Sequence, residues 1–296
     1  MILNAAAKVN LMLDILGRTK EGYHTLFMIM QSVGIQDTVT INRTGDKGAI
    51  VLTCDLADIP TDGTNIAWKA AERFFTATGL ENPGISIDIQ KRIPSAAGLA
   101  GGSADGAAVF VGLNTLFGTG LDERDLCRMA EPVGADIPFC IQGGTMLAMD
   151  IGGVLAPLPD LPDCWFVLVK PDMDVSTKEA YAEADRNFRH LRHLDTSDML
   201  RALVTGDQKE IFRLVGNVFE QVIEVPDRVD IKAIMRGTGA ETSCMSGSGP
   251  TIYGIFTSKE DAEQCRQMLE KHKLGEVFLC QPLHRGIEVE IGRAHV

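Results

Sequence analysis

From Lys8 to Ile15 polar and apolar residues alternate, with Val9, Leu11, Leu13 and Ile15 on one side and Lys8, Asn10, Met12 and Asp14 on the other. A period of two predicts a half-buried strand with a polar face. The segment GRTKEGYH (17–24) reads as a turn-rich loop, and TVTINRT and AIVLTC read as strands. Residues 64–79 follow the helical period and end at Gly79, an expected C′ glycine. In 84–94, Ile85, Ile87 and Ile89 alternate with Ser86, Asp88 and Gln90, and Pro94 ends the strand. A glycine-rich stretch follows, and then a helix with Ser103 as its expected N-cap and Gly118 as its stop. A second helix is expected over 122–134, leading to ADIPFC, and GGTMLAM is strand-like. Three prolines within 155–163 predict a linker. Beyond it come a buried strand (CWFVLVKP), helical patterns over roughly 176–236, a strand (TIYGIF), a helix capped by Ser258, and two further strands. The second half therefore reads as an α+β layer.

Length and composition add bounds. At 296 residues, 45% apolar and 23% charged, the chain has the profile of a soluble globular protein of one large or two ordinary domains. No apolar run is long enough to span a membrane. The opening segment, interrupted by Lys8 and Asp14, does not read as a secretory signal. Seven scattered cysteines without a CxxC pair suit free, buried thiols in a reducing cytoplasm. A net charge of −12 argues against nucleic-acid binding and means that anionic substrates would be repelled at long range, so local donors or a metal ion must attract them.

The richest candidate chemistry lies in IPSAAGLAGGSADGAAVF (93–110). Strand, glycine loop and helix start in that order gather bare amides and the positive end of a helix dipole, an arrangement that binds anions. The P-loop and GxGxxG fingerprints both fail here. From the residues alone, a phosphate loop and a close helix–helix approach both remain open. Lys8 could equally be a surface lysine, and Asp136, two residues before Pro138, an ordinary turn aspartate.

The pattern Pro-x-x-x-Gly-Leu-x-Gly-Gly-Ser from Pro94 to Ser103 resembles the central motif of the GHMP small-molecule kinases. AAKVNLMLDI (6–15) and MSGSGPTIYGIF (245–256) resemble that superfamily's first and third motifs, in order and spread over nearly the whole chain. The triplet Gly22-Tyr23-His24, with GADIPF and SGSGPT, is similar to the branch that phosphorylates a cytidine-diphosphate sugar alcohol in non-mevalonate isoprenoid precursor (terpenoid) biosynthesis. The chain departs from the branch at Ala96, Ala97, Ala100 and Ala104, often Gly or Ser there, and in AMDIGGVLAPL, which lacks a common glutamate.

The resemblance implies an α+β, two-domain GHMP kinase fold. An N-terminal α/β domain with a left-handed crossover would span 1–157, and a C-terminal ferredoxin-like domain 158–296. It implies ATP as phosphoryl donor, with Mg²⁺ carried in on the nucleotide, since no acidic metal ligand is evident in the chain. It implies Lys8 and Asp136 as catalytic residues, Asp136 being the general base toward the C2 hydroxyl of the cytidylylated methylerythritol. ATP would lie on Pro94, Ser95, Ala96, Ala97, Gly98, Leu99, Ala100, Gly101, Gly102, Ser103 and Ala104. Asn65, Ile66, Lys91 and Ser95 would line the adenine pocket. The substrate would meet Asn10, Tyr23, His24, Tyr181, Gly247, Ser248 and Gly249, with a cytosine ring stacked between aromatic faces. Ser103 could reach a phosphate or the metal.

The chemistry suits such a pair. The transferred phosphoryl spreads charge over its equatorial oxygens, a carboxylate accepts the alcohol's proton, and an ammonium steadies the oxygen it leaves behind. The expected enzyme is cytoplasmic, binds neither nucleic acid nor membrane, and is a monomer or homodimer. Two rivals remain: another GHMP kinase, of homoserine or mevalonate type, and a non-catalytic nucleotide sensor on the same fold.

Overall fold

The structure, a computed structural model, describes residues 1–150 and 154–290. The first half contains β1 (Ile2–Arg18), β2 (His24–Arg43), β3 (Ile50–Cys54), α1 (Ile66–Thr78), β4 (Ile85–Gln90), α2 (Gly101–Phe117), α3 (Glu123–Ala130), α4 (Ile137–Gln142), β5 (Thr145–Asp150) and β6 (Val154–Pro157). The second half contains β7 (Trp165–Lys170), α5 (Thr177–Asn187), α6 (Thr196–Thr205), α7 (Gln208–Leu214), β8 (Gly216–Asn217), α8 (Arg228–Gly237), β9 (Thr242–Met245), β10 (Ile252–Phe256), α9 (Lys259–His272), β11 (Glu276–Cys280) and β12 (Ile287–Glu290), with short 3₁₀ turns at Phe188–His190 and Val218–Gln221.

The first sheet runs β12-β1-β2-β4-β3, with β5 on the near half of β2, β6 beyond β5, and β8 beside β1. β3 and β4 are parallel and joined through α1. The second sheet runs β11-β7-β10-β9, all antiparallel. By chain position that order is fourth-first-third-second, the ferredoxin-like arrangement that the resemblance implies. The chain passes from the first sheet to the second across the expected linker, but β8 and β12 return to pair with β1.

The predicted elements are present, the short strands β6, β8 and β9 were not anticipated, and four further differences bear on the site. The turn of the GRTKEGYH loop is shorter than expected, because Gly17 and Arg18 end β1 and His24 opens the long β2. The second difference is α4, unforeseen because it is only six residues and begins at Ile137-Pro138. The third is the cap of α2. Ser103 does not cap it; the helix starts two residues earlier, with Ala100 in the left-handed region at φ 61° and no side-chain cap. The fourth is β1, which is buried on both faces, with Asn10 and Asp14 fully enclosed.

The strict alternation of β1 also breaks. Asn10 pairs with Met30, but Met12 pairs with Ile29, so Leu11 is an extra residue, a bulge that reverses the parity. Lys8 and Asn10 face the cleft before it and Leu13 after it. Asp14 turns to the opposite side, where it accepts the Leu194 amide at 2.8 Å and meets His193 Nδ1 at 3.0 Å.

α2 is apolar nearly all round, as a central helix must be. Residues 104–110, 112 and 113 are buried, and the helix packs between α1 and the first sheet. Gly112 allows the approach, since a Cβ there would come within 2.7 Å of Ile41 Cδ1 and 3.0 Å of Leu3 Cδ1. Gly79 and Gly118 end α1 and α2 in left-handed geometry, and Ser258 caps α9, as expected.

Candidate active site

Both sheets deliver residues to one cleft of about 640 Å³. β1 contributes Lys8, Asn10 and Leu13, and β2 contributes Leu26 and Met28. The glycine loop and the first turn of α2 form one wall, Ala135 and Asp136 another, and Thr177, Tyr181, Phe219, Gly247 and Ser248 the far side. Lys8 and Asp136, 128 positions apart in the chain, thus meet the same cavity as the loop.

Asn10 is the hub. Its Oδ1 accepts Lys8 Nζ at 2.7 Å and the Gly247 amide at 3.0 Å, and its carbonyl accepts the Tyr253 hydroxyl at 2.7 Å. One buried side chain therefore orients the ammonium and ties the turn between β9 and β10 to β1. Its Nδ2 is buried without a partner. A buried donor left unpaired costs free energy, so this amide is a local weak point that the hub's other bonds offset. Ser246 Oγ donates to the Gly98 carbonyl at 2.9 Å, and Asn217 Nδ2 donates to Met245 and Gly247 carbonyls, fixing the same turn from two sides.

Asp136 precedes α4 and makes no capping bond, which leaves its carboxylate free beside the cleft. No ion pair joins it to Lys8 among the described residues; the two groups sit around the space rather than against each other. Burial pushes the Tyr181 hydroxyl up, and the Asp136 charge adds to it, which sets these two groups near one another.

In the loop, Ala96 and Ala100 hold positive φ values of 50° and 61°, and Gly98 holds 74°. Ser103 lies in the first turn of α2, half-buried and lining the cleft. The expected ATP residues 94–98 and 100–103 line the cleft, whereas Leu99 and Ala104 are buried behind it. Leu99 contributes through its carbonyl, which accepts the Lys8 amide at 3.0 Å.

Two of the expected adenine contacts have other tasks. Asn65 spends its side chain on the start of α1, accepting the Ala67 amide at 2.8 Å and donating to the Pro60 carbonyl at 2.7 Å. Lys91 points its ammonium inward to Asp37 and, at 2.7 Å, to Asp105. Burial alone would lower the Lys91 ammonium, but Asp105 and Asp37 outweigh it and hold it above its ordinary value. The Asp105 carboxyl is pushed up to about 7, first by burial, with Lys91 pulling down and Asp37 pushing up. All four, Asn65, Ile66, Lys91 and Ser95, nevertheless line the cleft, joined by Ile59, Pro60 and Thr64, which the sequence reading missed.

The aromatic side differs most from expectation. His24 and Tyr181 stack on each other, centroids 4.5 Å apart and 27° between planes, so no base lies between them in this arrangement. Tyr181 meets the edge of Phe219 at 5.1 Å. Phe219 carries no motif, and only the fold brings it here. Asp185 holds His24 Nε2 at 2.8 Å and also pairs with Arg18. His24 reaches the cleft only through its stack on Tyr181. Tyr23, 63% exposed on the turn, does not line the cleft. Neither does Gly249, which faces Met245, while Gly247 and Ser248 do.

Asp37 and Asp105 were missed, although their signals were present. Asp37 falls on the same alternation as Val33, Ile35, Val39 and Ile41 of β2, and Asp105 sits in an apolar helix. A charge on a core-facing register announces a buried partner. The seven cysteines are unbridged and buried or half-buried. No group of three or more metal-ligating side chains occurs among the described residues, and no helix there is long and apolar enough to cross a membrane.

Comparison with known proteins gives the family and the fold. Residues 65–144 match the family described as GHMP kinases N terminal domain, and 199–273 match GHMP kinases C terminal. The 4-diphosphocytidyl-2-C-methyl-D-erythritol kinase of Macrococcus caseolyticus is 41% identical over 95% of this chain and 98% of its own length. Its namesake from Geobacillus kaustophilus is 37% identical over 93% and 97%. A crystal structure of 4-(cytidine 5′-diphospho)-2C-methyl-D-erythritol kinase superposes with a TM-score of 0.79 at 28% identity, covering 95% of this chain and 99% of that one.

Proposed function

The chain belongs to the 4-diphosphocytidyl-2-C-methyl-D-erythritol kinase family of the GHMP kinases, and from that membership we propose how its cleft carries out the reaction. It is an ATP-dependent small-molecule kinase that phosphorylates the C2 hydroxyl of 4-diphosphocytidyl-2-C-methyl-D-erythritol. The observation that carries the site reading is the convergence of Lys8, Asn10, Asp136, the 94–103 loop and Gly247–Ser248 on one cavity.

In this reading Asp136 accepts the proton of the attacking hydroxyl, worth about 10²–10⁴-fold. Lys8, fixed by Asn10, faces the oxygen on which negative charge develops. The exposed amide of Gly102 and its neighbours at the start of α2 hold the phosphates. The polar lining is amides, hydroxyls, the Lys8 and Lys91 ammoniums and the carboxylates of Asp105, which is tied to Lys91, and Asp136, with no prebuilt cage of three metal ligands among the described residues, which fits an Mg²⁺ ion that arrives on the nucleotide. Ser103 would offer it a hydroxyl, and the ion would neutralise phosphate charge. Transfer is direct, without a covalent enzyme intermediate.

The cytidine end is assigned to His24, Tyr181 and Phe219, of which Tyr181 and Phe219 line the cleft and His24 stacks on Tyr181. A base sandwiched between the first two rings requires them to part to roughly 7 Å, about twice a stacking distance. Two domains, 1–157 and 158–296, with β8 and β12 crossing back, account for the cleft between the sheets. A coupled assay offering the cytidylylated methylerythritol, homoserine and mevalonate with ATP tests the reading. Turnover of the first alone is expected, and turnover of either other substrate at a comparable rate would refute it.

A further inference from the structure

The strongest unassigned feature is the buried cluster of Lys91, Asp37 and Asp105 beneath the glycine loop. Lys91 follows β4 on the entry side of the loop, and Asp105 lies in α2 on the exit side. The Lys91 ammonium joins them at 2.7 Å and also reaches Asp37 of β2. Asp37 in turn accepts the backbone amides of Arg92 and, at 2.8 Å, Ile93. Entry strand, exit helix and sheet are thus pinned at one point, with all three side chains buried.

Between the pinned ends the backbone is strained. Ala96 and Ala100 hold left-handed conformations, and Ala100 does so at the residue from which α2 starts, with no side-chain cap. L-residues hold such conformations only where the surroundings over-determine them.

We propose that Asp105 and Lys91 are positioning residues whose ion pair staples the two ends of the loop and thereby holds Ala100 left-handed, with the amides that follow it aimed into the cleft. This rests on the reading of the loop as the nucleotide's phosphate site. The staple touches no reacting atom. It lowers the cost of presenting the amides, and its loss is read in nucleotide affinity.

The test is Asp105→Asn at pH 8, where Asp105 is ionised, with both substrates varied. ATP KM should rise about tenfold, the population change that releasing one left-handed alanine causes, while the alcohol's KM stays within about twofold. Ala100→Gly, which removes the conformational penalty, should bring ATP KM in the Asp105→Asn chain back toward wild type. A purely structural ion pair would lower the unfolding temperature, leave both KM values alone and give no such rescue; that result overturns the staple, as does a rise without rescue. Gly102→Asp controls for the loop reading. A Cβ there meets only Ile66 Cδ1 at 3.3 Å, and the residue is exposed to the cleft. The variant should fold and raise ATP KM by at least about a hundredfold through charge repulsion. An unchanged KM there refutes the phosphate site itself; a crippled Gly102→Asp beside an unaffected Asp105→Asn refutes only the staple. Should Asp105→Asn not fold, Lys91→Arg, which keeps the charge but moves the donors, is read by the same two KM values. A rise in ATP KM alone that Ala100→Gly reverses supports the staple, and equal values or a rise without rescue overturn it.

Discussion

Replacing Asn10 by alanine removes the acceptor of two buried donors, Lys8 Nζ at 2.7 Å and the Gly247 amide at 3.0 Å. Each orphaned donor costs about 1–3 kcal/mol, the ammonium toward the upper end, so the gross loss is about 3–5 kcal/mol. The vacated space opens on the cleft, so water can reach Lys8 and return part of this. The expected loss is about 2–4 kcal/mol, or about 5–15 °C in the unfolding midpoint of a chain this size. Asn10→Asp separates the hydrogen-bond hub from mere volume. It keeps the acceptor and gives up only Nδ2, which has no partner in the unliganded protein. It should unfold within about 1 kcal/mol of wild type while changing the charge beside Lys8. Turnover should fall in Asn10→Ala by about 10²-fold or more, since an ammonium displaced by an ångström no longer meets the reacting oxygen. Thermal unfolding and steady-state kinetics on the two variants decide the matter. If Asn10→Ala is as stable as Asn10→Asp, the hub does not hold the two sheets together and the energetic reasoning fails.

Asp136→Asn should lower kcat by about 10²–10⁴-fold with ATP affinity unchanged; a fully active variant would mean that another group takes the proton. The Asp105 carboxyl is raised from 3.8 to about 7 in the folded chain, so over that window the folded state binds a proton that the unfolded state has released. Its stabilising contribution is complete below 3.8 and is lost as pH rises through about 7. The unfolding temperature of wild type relative to Asp105→Asn should therefore be higher at pH 5 than at pH 8, and a difference that widens toward pH 8 would contradict the assignment. Gly98→Ala, forced at positive φ against the Ser246 carbonyl, should destabilise the fold by about 2 kcal/mol or more, whereas Gly102→Ala should leave stability nearly unchanged and weaken ATP binding; denaturant titration and nucleotide binding separate the two.

The elements were legible where one face of each meets the core and the other meets water. α1, β4 and α9 show their period and their caps plainly, and the structure follows them. β1 was legible as a strand but not as a site wall, because a period-two reading assumes an unbroken register. The extra residue at Leu11 moves Leu13 to the side of Lys8 and sends Asp14 away from it. Nothing local in KVNLMLDI signals that slip, which β2 imposes by its pairing. Phe219 and Thr177 were illegible for a similar reason. They lie in the second half of the chain without a motif, and only the docking of the 218–221 turn on β1 and the contact of Thr177 with Ser248 bring them to the cleft. Resemblance supplied what spacing could not, namely the meeting of Lys8 and Asp136.

The four glycines of the 93–110 stretch, three of them in the central motif, show why the sequence left two explanations of that loop open. A phosphate cradle and a close packing approach both call for missing side chains, and the structure divides the glycines between them. A Cβ on Gly98 would lie 2.2 Å from the Ser246 carbonyl oxygen, so this glycine lets the turn between β9 and β10 close on the loop. A Cβ on Gly101 would press on Ile93 at 3.0 Å and approach Lys91 Nζ at 3.3 Å, and one on Gly106 would reach Ile66 at 2.9 Å. Gly102 alone of the four meets a single flexible side-chain end and opens to the cleft. Three of the four thus answer to packing between elements and one to the ligand. The motif is so readable because a single short segment must satisfy both demands. A substitution that respects the phosphate site can still fail at the joint between the sheets, and the Gly98 and Gly102 variants should therefore lose different properties rather than differ in degree.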